Sequence, residues 1–213
     1  MKSYHTDTIN LLTADDFDDL LIIADELFGR SYLSKPELQS YIDDNTKIGI
    51  VAKINDKIIG FQLMQTSNLD GIMSFVLKEQ QWFKEQFSNY SSIGILKTLA
   101  VKNEFKNQGI GTLLTTKSIE ILKKKSDCIL SICWDKENDA SVSNILEKYG
   151  MKQIRKISEF WKEDSLERNY TCKICGAPPC TCNAIIYKYL TTKGLKQNIT
   201  QNKPNLKWKK LKV

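Results

Sequence analysis

The chain has 213 residues, 41% of them hydrophobic, which suffices to bury one substantial core. No apolar run approaches the ~20 residues of a membrane-spanning helix, and the opening Met-Lys-Ser-Tyr-His-Thr-Asp lacks the apolar centre of a signal peptide, so a soluble cytoplasmic protein is expected. The net charge of +6 is local: residues 191–213 hold seven lysines and no acid, which leaves the other 190 residues at −1.

In chain order, Thr8 to Leu12 suit a first strand, and Thr13 can cap a helix from about Asp15 to Phe28 that Gly29 stops. Pro36 stands near the start of a second helix ending around Asn45. Residues 47–54 and 57–65 read as two strands flanking Asn55-Asp56, a hairpin turn. Residues 68–92 hold Phe75, Val76, Trp82, Phe83 and Phe87. They read either as a helix packed over the sheet edge or as a lid over a binding site. A strand is expected over about Ser92 to Val101, a helix over roughly Gly109 to Lys125, and a buried strand from Cys128 to Trp134. Cys128 and Cys133 fall on opposite faces of that strand and read as core residues. A further helix reaches Tyr149, and Met151 to Trp161 and Ala184 to Leu190 read as the last two strands.

Function is clearest between residues 94 and 114. Ile95, Leu99 and Val101 are aliphatic strand residues, Gly109 and Gly111 clear space for a ligand beside the backbone, and the pattern turns helical from Thr112. Amide N–H groups then converge where the helix dipole is positive, an arrangement that holds phosphate through backbone atoms. A Walker motif needs Gly-Lys-Ser/Thr, and a dinucleotide fingerprint needs a third glycine after Gly111. Thr112, Leu113 and Leu114 supply neither.

The stretch Lys106-Asn107-Gln108-Gly109-Ile110-Gly111 resembles the pyrophosphate loop of the GNAT N-acetyltransferases, Arg/Gln-x-x-Gly-x-Gly/Ala, with lysine in the first position as a point charge rather than a planar fork. The order of elements over most of residues 7–190 is similar to that family as well. The resemblance implies an α/β (α+β) fold of the acyl-CoA N-acyltransferase type, with a mixed, mostly antiparallel central sheet flanked by helices. It implies a domain over residues 1–190, from whose minimal pattern the aromatic insertion at 68–92 departs; a hairpin loop with a cysteine knuckle at 163–183 and a basic tail at 191–213 are read from the residues themselves. It also implies acetyl transfer from acetyl-CoA to a primary amine of a small molecule or protein. Lys106 to Thr112 would hold the diphosphate, and Leu99, Ala100 and Val101 would expose backbone groups to the pantetheine arm and polarise the thioester. Asn138 would contact the pantetheine or cap a helix. The family's carboxylate before the Leu-Ala-Val stretch falls on Thr98, and its tyrosine acid falls on Leu146, so neither proton-handling group is assigned. Tyr149 is three residues further along a helix and on another face.

Cys172, Cys175, Cys180 and Cys182 place four thiols within eleven residues. A Cys-x-x-Cys-Gly turn aims two thiolates at one tetrahedral ion, and the stiff Pro178-Pro179 return lets the second pair complete a four-sulfur shell. Cys-x-Cys is tighter than the usual spacing, so two disulfides and free thiols stand beside a structural zinc as readings. A cationic acceptor would want acids, and Asp15, Asp16, Asp18, Asp19, Asp43 and Asp44 lie near the first two helices, where they also serve as ordinary helix-end residues. The competing class is a non-catalytic CoA-binding or interaction module that docks on nucleic acid, ribosome or protein through the knuckle and tail. A solvated tail is the plainer reading of those lysines. Glu104 and His5 read as surface residues.

Overall fold

The computed structural model describes residues 8–135 and 141–195. Its elements are β1 (Thr8–Leu11), α1 (Phe17–Leu27), α2 (Lys35–Asp43), β2 (Lys47–Ile54), β3 (Lys57–Ser67), α3 (Leu69–Met73), α4 (Gln80–Phe87), β4 (Ile93–Val101), α5 (Ile110–Lys125), β5 (Cys128–Trp134), α6 (Ser141–Lys148), β6 (Lys152–Ile157), α7 (Lys162–Arg168) and β7 (Ala184–Leu190). The seven strands form one sheet in the order β1-β2-β3-β4-β5-β7-β6. Every neighbouring pair is antiparallel except β4 and β5, which run parallel and are joined by α5. The mixed, mostly antiparallel sheet expected from the sequence is the one observed.

Local signals explain most boundaries. Asn55 and Asp56 adopt φ of 48° and 60°, the left-handed pair that a two-residue hairpin demands. Ser34 caps α2 by accepting from the Glu37 N–H at 3.3 Å. Thr13 caps a 3₁₀ turn, Ala14–Asp16, before α1 begins at Phe17. Asp16 is almost fully buried there and accepts from the Thr13 N–H at 2.9 Å and the Lys53 ammonium at 2.7 Å. Burial opposes its charge, but the Lys53 contact and the Thr13 donors outweigh burial and hold its pKa below the ordinary carboxylate value. A carboxyl whose pKa falls on folding stabilises above its unfolded value, about 4, and loses that contribution as pH drops through the folded value. Asp16→Asn is therefore expected to lower the melting temperature at neutral pH and to flatten its decline in acid, read by calorimetry from pH 7 to 2.

Strand alternation distributes the core. On one sheet face Ile50, Ala52 and Leu96 pack under α5 and α6, with Leu114, Leu122 and Leu146. On the other, α1 and α2 cover the first strands through Leu20, Leu38, Val51 and Phe61. The remainder of that face, over β4, β5 and β7, is covered by Ile72, Val76, Phe83 and Phe87. The insertion is thus two helices on the sheet face, not one helix over the edge, because its aromatics meet Ile93, Ile95 and Leu130 in the middle of the sheet. Cys128 and Cys133 lie in cores on opposite faces, as their spacing predicts.

Two expectations change at the C-terminal end. The strand expected to run to Trp161 ends at Ile157, and residues 162–168 form α7, a helix inside what the sequence presents as a loop. Among the described residues no helix is long and apolar enough to cross a membrane.

Candidate active site between strands 4 and 5

The parallel pairing of β4 with β5 stops early. Ladder partners run from Ile93 and Cys128 to Leu96 and Ser131, while β5 continues its pairing with β7 through Trp134. Beyond Leu96 the strands diverge, and backbone groups of Lys97–Val101 on the β5 side face a gap. A bulge adds to this. Leu63 opposes Thr98 and Met64 opposes Leu96, so Lys97 is the extra residue in β4. The bulge reverses the alternation: Ile93 and Ile95 face the α3–α4 side, whereas Leu99 and Val101, of the same parity, face α5.

A cavity of about 150 Å³ passes through the gap, from Thr115, Ser143 and Leu146 on the α5–α6 side to Tyr32, Trp161 and Tyr170 on the other. A second, of about 330 Å³, opens on that other face between Glu37, Phe75, Leu77, Asp164 and Arg168. Lys97, Thr98, Tyr32 and Trp161 line both. Phe75 and Leu77 of the insertion thus wall a cavity while Phe83 and Phe87 fill core.

The residues singled out in the glycine loop meet the cavity strand. The amides of Ile110, Gly111 and Thr112 precede the first helical hydrogen bond of α5, from Leu113 N–H to Gly109 O at 2.9 Å. Gly109 has φ +84° and Asn107 φ 60°; Lys106 is exposed, and Gln108 donates to the Glu104 carbonyl at 3.0 Å. The Ile110 side chain is buried in the core and leaves only its backbone to a ligand. A Cβ on Gly111 would meet nothing nearer than 3.7 Å, the closest atoms belonging to Ile145, Leu99 and Val101. The fold gives no steric reason for glycine there, and glycine in a helix costs about 1 kcal/mol relative to alanine. Space for a ligand beside the backbone is the reason that remains. Leu99 lines the first cavity, while Ala100 is buried toward α1. Thr115, one turn along α5, has a buried hydroxyl without a partner that borders the same cavity. An orphaned hydroxyl and an empty cradle beside free amides fit a diphosphate with a polar arm extending into the gap.

Asn138 lies outside the described residues, as do His5 and most of the basic tail. None of the six aspartates noted near the first helices borders either cavity; Asp16 is held by Lys53 and Asp18 by Lys35 at 2.7 Å. The acids at the second cavity are Glu37, Asp164 and Glu167 instead. Arg168 ties two of them together, at 3.2 Å from Glu37 and 3.8 Å from Asp164, and donates to the Tyr32 carbonyl at 2.7 Å. Burial raises the Tyr32 pKa despite its hydrogen bond to Thr98. Tyr149 bonds Thr116 on the α5 side, away from both cavities.

The four knuckle sulfurs lie within 4.8 Å of one another, with Cys172–Cys182 at 3.8 Å, Cys175–Cys180 at 3.9 Å and Cys175–Cys182 at 3.4 Å. No pair is at bonding distance, and all six cysteines are free. Four thiolates about 2.3 Å from one zinc would be about 3.8 Å apart, so the donor set fits that ion. The N–H groups of Cys175 and Thr181 point at the Cys172 and Cys175 sulfurs, at 3.5 and 3.4 Å. The knuckle is also part of the site. Cys172 and Cys180 border the first cavity, Trp134 and Trp161 pack against the sulfurs, and Ser165 of α7 accepts from the Cys180 N–H at 2.8 Å. Sequence reasoning missed this proximity, since the knuckle follows the glycine loop by some sixty residues and nothing in its spacing aims it at β4.

A mixed sheet opened at a parallel pair, with a glycine loop at the head of the connecting helix, is the acyl-CoA N-acyltransferase architecture. The chain belongs to the Acetyltransferase (GNAT) family, whose sequence profile matches residues 17–151, and it is an acetyl-CoA-dependent acetyltransferase. Similar solved structures include Arabidopsis thaliana NAA60 in complex with acetyl-CoA (11% identity, TM-score 0.62, covering 86% of this chain and 97% of that one). Chaetomium thermophilum Naa20 in complex with a bisubstrate analogue shares 12% identity, with TM-score 0.62 and 89% coverage of each chain. The Escherichia coli ribosomal-protein-S18-alanine N-acetyltransferase shares 17%, with TM-score 0.56 and coverage of 86% and 92%. At such identities these likenesses speak for the fold alone. No curated protein sequence matches the chain significantly.

Proposed function

We propose that the chain acetylates a primary amine that enters through the second cavity, while acetyl-CoA occupies the loop and the first. The observation that carries this reading is the pair of cavities meeting at the β4 bulge, one on each sheet face. Lys106 to Thr112 hold the diphosphate through amides at the positive end of α5. Leu99, Ala100 and Val101 offer backbone groups to the pantetheine arm. Thr115 gives its unpartnered hydroxyl to the same arm. The gain lies in alignment: two reactants held at one gap react as if at high effective concentration. An N–H on the open edge of β4 stabilises the charge that develops on the thioester oxygen.

Cys172, Cys175, Cys180 and Cys182 hold a structural zinc. Four protein ligands leave no position for substrate, so the ion fastens the β6–β7 connection. Reduced thiolates and the free Cys128 and Cys133 suit the cytoplasm.

Gly111→Val tests the cofactor site. The side chain would fill the cradle without touching backbone, so acetyl-CoA affinity measured by isothermal titration should fall by about 10- to 100-fold, ~1.4–2.8 kcal/mol, with the melting temperature of the free protein unchanged. Unaltered affinity would remove the loop from the site. Spermidine, an aminoglycoside and peptides with free N-termini, assayed by release of the CoA thiol, then sort acceptors. Tail removal should leave CoA binding intact, whereas a docking module would lose steeply salt-dependent nucleic-acid binding.

A further inference from the structure

The bulge turns a lysine toward the acceptor cavity and gives it no ion-pair partner among the described residues. Lys97 lines both cavities, and its ammonium nitrogen stands 3.9 Å from the centroid of the Phe75 ring. Among the described residues it makes no ion pair. Of the acids of that cavity, Glu37 and Asp164 face Arg168, and Glu167 is exposed on α7. Amines reach an acetyltransferase as ammonium ions at neutral pH and cannot attack until a proton leaves. Thr98, the neighbouring cavity residue, cannot take it, and Tyr32 is engaged with Thr98.

We propose that Lys97, as a free amine, is the general base that deprotonates the acceptor. This rests on the acetyl-transfer reading above. Lys97 takes a proton from R–NH₃⁺ and becomes the ammonium. The freed lone pair forms the N–C bond to the acetyl carbonyl, and the C–S bond breaks with its electrons on the CoA sulfur. The proton shed by the new amide nitrogen goes to that thiolate, and Lys97 returns its own proton to water. The sum is R–NH₃⁺ and acetyl-CoA giving the acetamide, CoA thiol and one proton.

Burial at the gap opposes the charge on Lys97. Burial is the largest influence and lowers the Lys97 pKa; Glu37 and Asp164 work against it, and Arg168 and Lys47 add to it. The Phe75 ring works the other way and favours the cation. A lysine lowered toward the working pH is a usable base, whereas an ordinary one stays charged.

Two measurements decide. The full chain, reductively methylated with ¹³C-formaldehyde, gives a resonance for each lysine, and Lys97 is assigned by its loss in Lys97→Met. Its titration below the main group of lysines is expected, and titration with them overturns the proposal. With the amine that turns over in the acceptor panel, Lys97→Met and Lys97→Arg should both lose about 10²- to 10⁴-fold in kcat, a loss far larger than any change in acetyl-CoA affinity. Transfer to hydroxylamine, uncharged at neutral pH, should be spared. Full activity in Lys97→Arg, or equal loss toward both nucleophiles, overturns the base role. If no amine turns over, the transfer reading fails and the titration still decides whether Lys97 is neutral.

Discussion

Cys172→Ser is expected to abolish stoichiometric zinc binding, to destabilise the protein by roughly 3–5 kcal/mol, and to cut amine acetylation far more than acetyl-CoA binding. A structural four-thiolate zinc contributes its binding energy to the fold, and the residues it fastens are neither an isolated finger nor a tail. Phe160 N–H donates to Cys182 O at 3.0 Å, Ser165 receives the Cys180 N–H, and Trp161 packs against the sulfurs. Cys172, Cys180 and Tyr170 border the first cavity and Trp161 borders both, so loosening the knuckle frees a wall of the gap where the two reactants meet. The glycine loop sits at the head of α5 and is built without knuckle residues, so the hold on the diphosphate should persist. Elemental analysis, calorimetry and titration with acetyl-CoA measure the three quantities. For a chain of this size such a loss lowers the melting temperature by about 10 °C. A metal-free wild type, or a serine variant as stable and active as the wild type, would refute the zinc assignment.

Gly29→Ala should produce the same pair of effects from a position outside the knuckle. Gly29 has φ +119°, and an alanine Cβ would lie 1.9 Å from the Thr171 carbonyl oxygen. That oxygen is backbone and cannot rotate aside. Three hydrogen bonds hold it close: Thr171 N–H to Arg30 O at 3.0 Å, Lys173 N–H to Phe28 O at 2.8 Å, and Arg30 N–H to the Thr171 hydroxyl at 2.7 Å. Strain at a glycine-only φ, about 1–3 kcal/mol, combines with the loss of bonds worth about 1 kcal/mol each. A total of roughly 3–5 kcal/mol follows, measurable by urea unfolding. Bound zinc should remain in Gly29→Ala, which separates this variant from the cysteine one; retention of wild-type stability would show that the two segments are not coupled.

The strands and the long helices were legible because their signals are local: apolar runs in β2 and β3, Asn55-Asp56 at the turn, Gly29 at the end of α1. The glycine loop was legible because few motifs put Gly-x-Gly between a strand and a helix. The bulge was not, although its trace was present. Ile93, Ile95, Leu99 and Val101 look like one face of one strand, and only the pairing of Met64 with Leu96 and Leu63 with Thr98 shows that the face changes at Lys97. Counting back from the Leu-Ala-Val stretch therefore lands on Thr98, while its neighbour Lys97 also lines both cavities. Helix α7 was hidden for another reason. It has seven residues, too few for a periodic pattern, and its order comes from contacts with Tyr32, Glu37 and Cys180 that lie far away in sequence. The aspartates near α1 drew notice by density alone, and density does not say which way a helix turns its acids.

The contact of Gly29 with Thr171 also bears on descent. Two segments separated by most of the chain touch so closely that neither tolerates an independent change. Among relatives of this chain, a glycine at the position of Gly29 should be inherited together with the four cysteines. Where a lineage has lost the cysteines, that position should drift to residues with side chains, so a reader of genomes could recognise the four-cysteine branch from the end of its first helix.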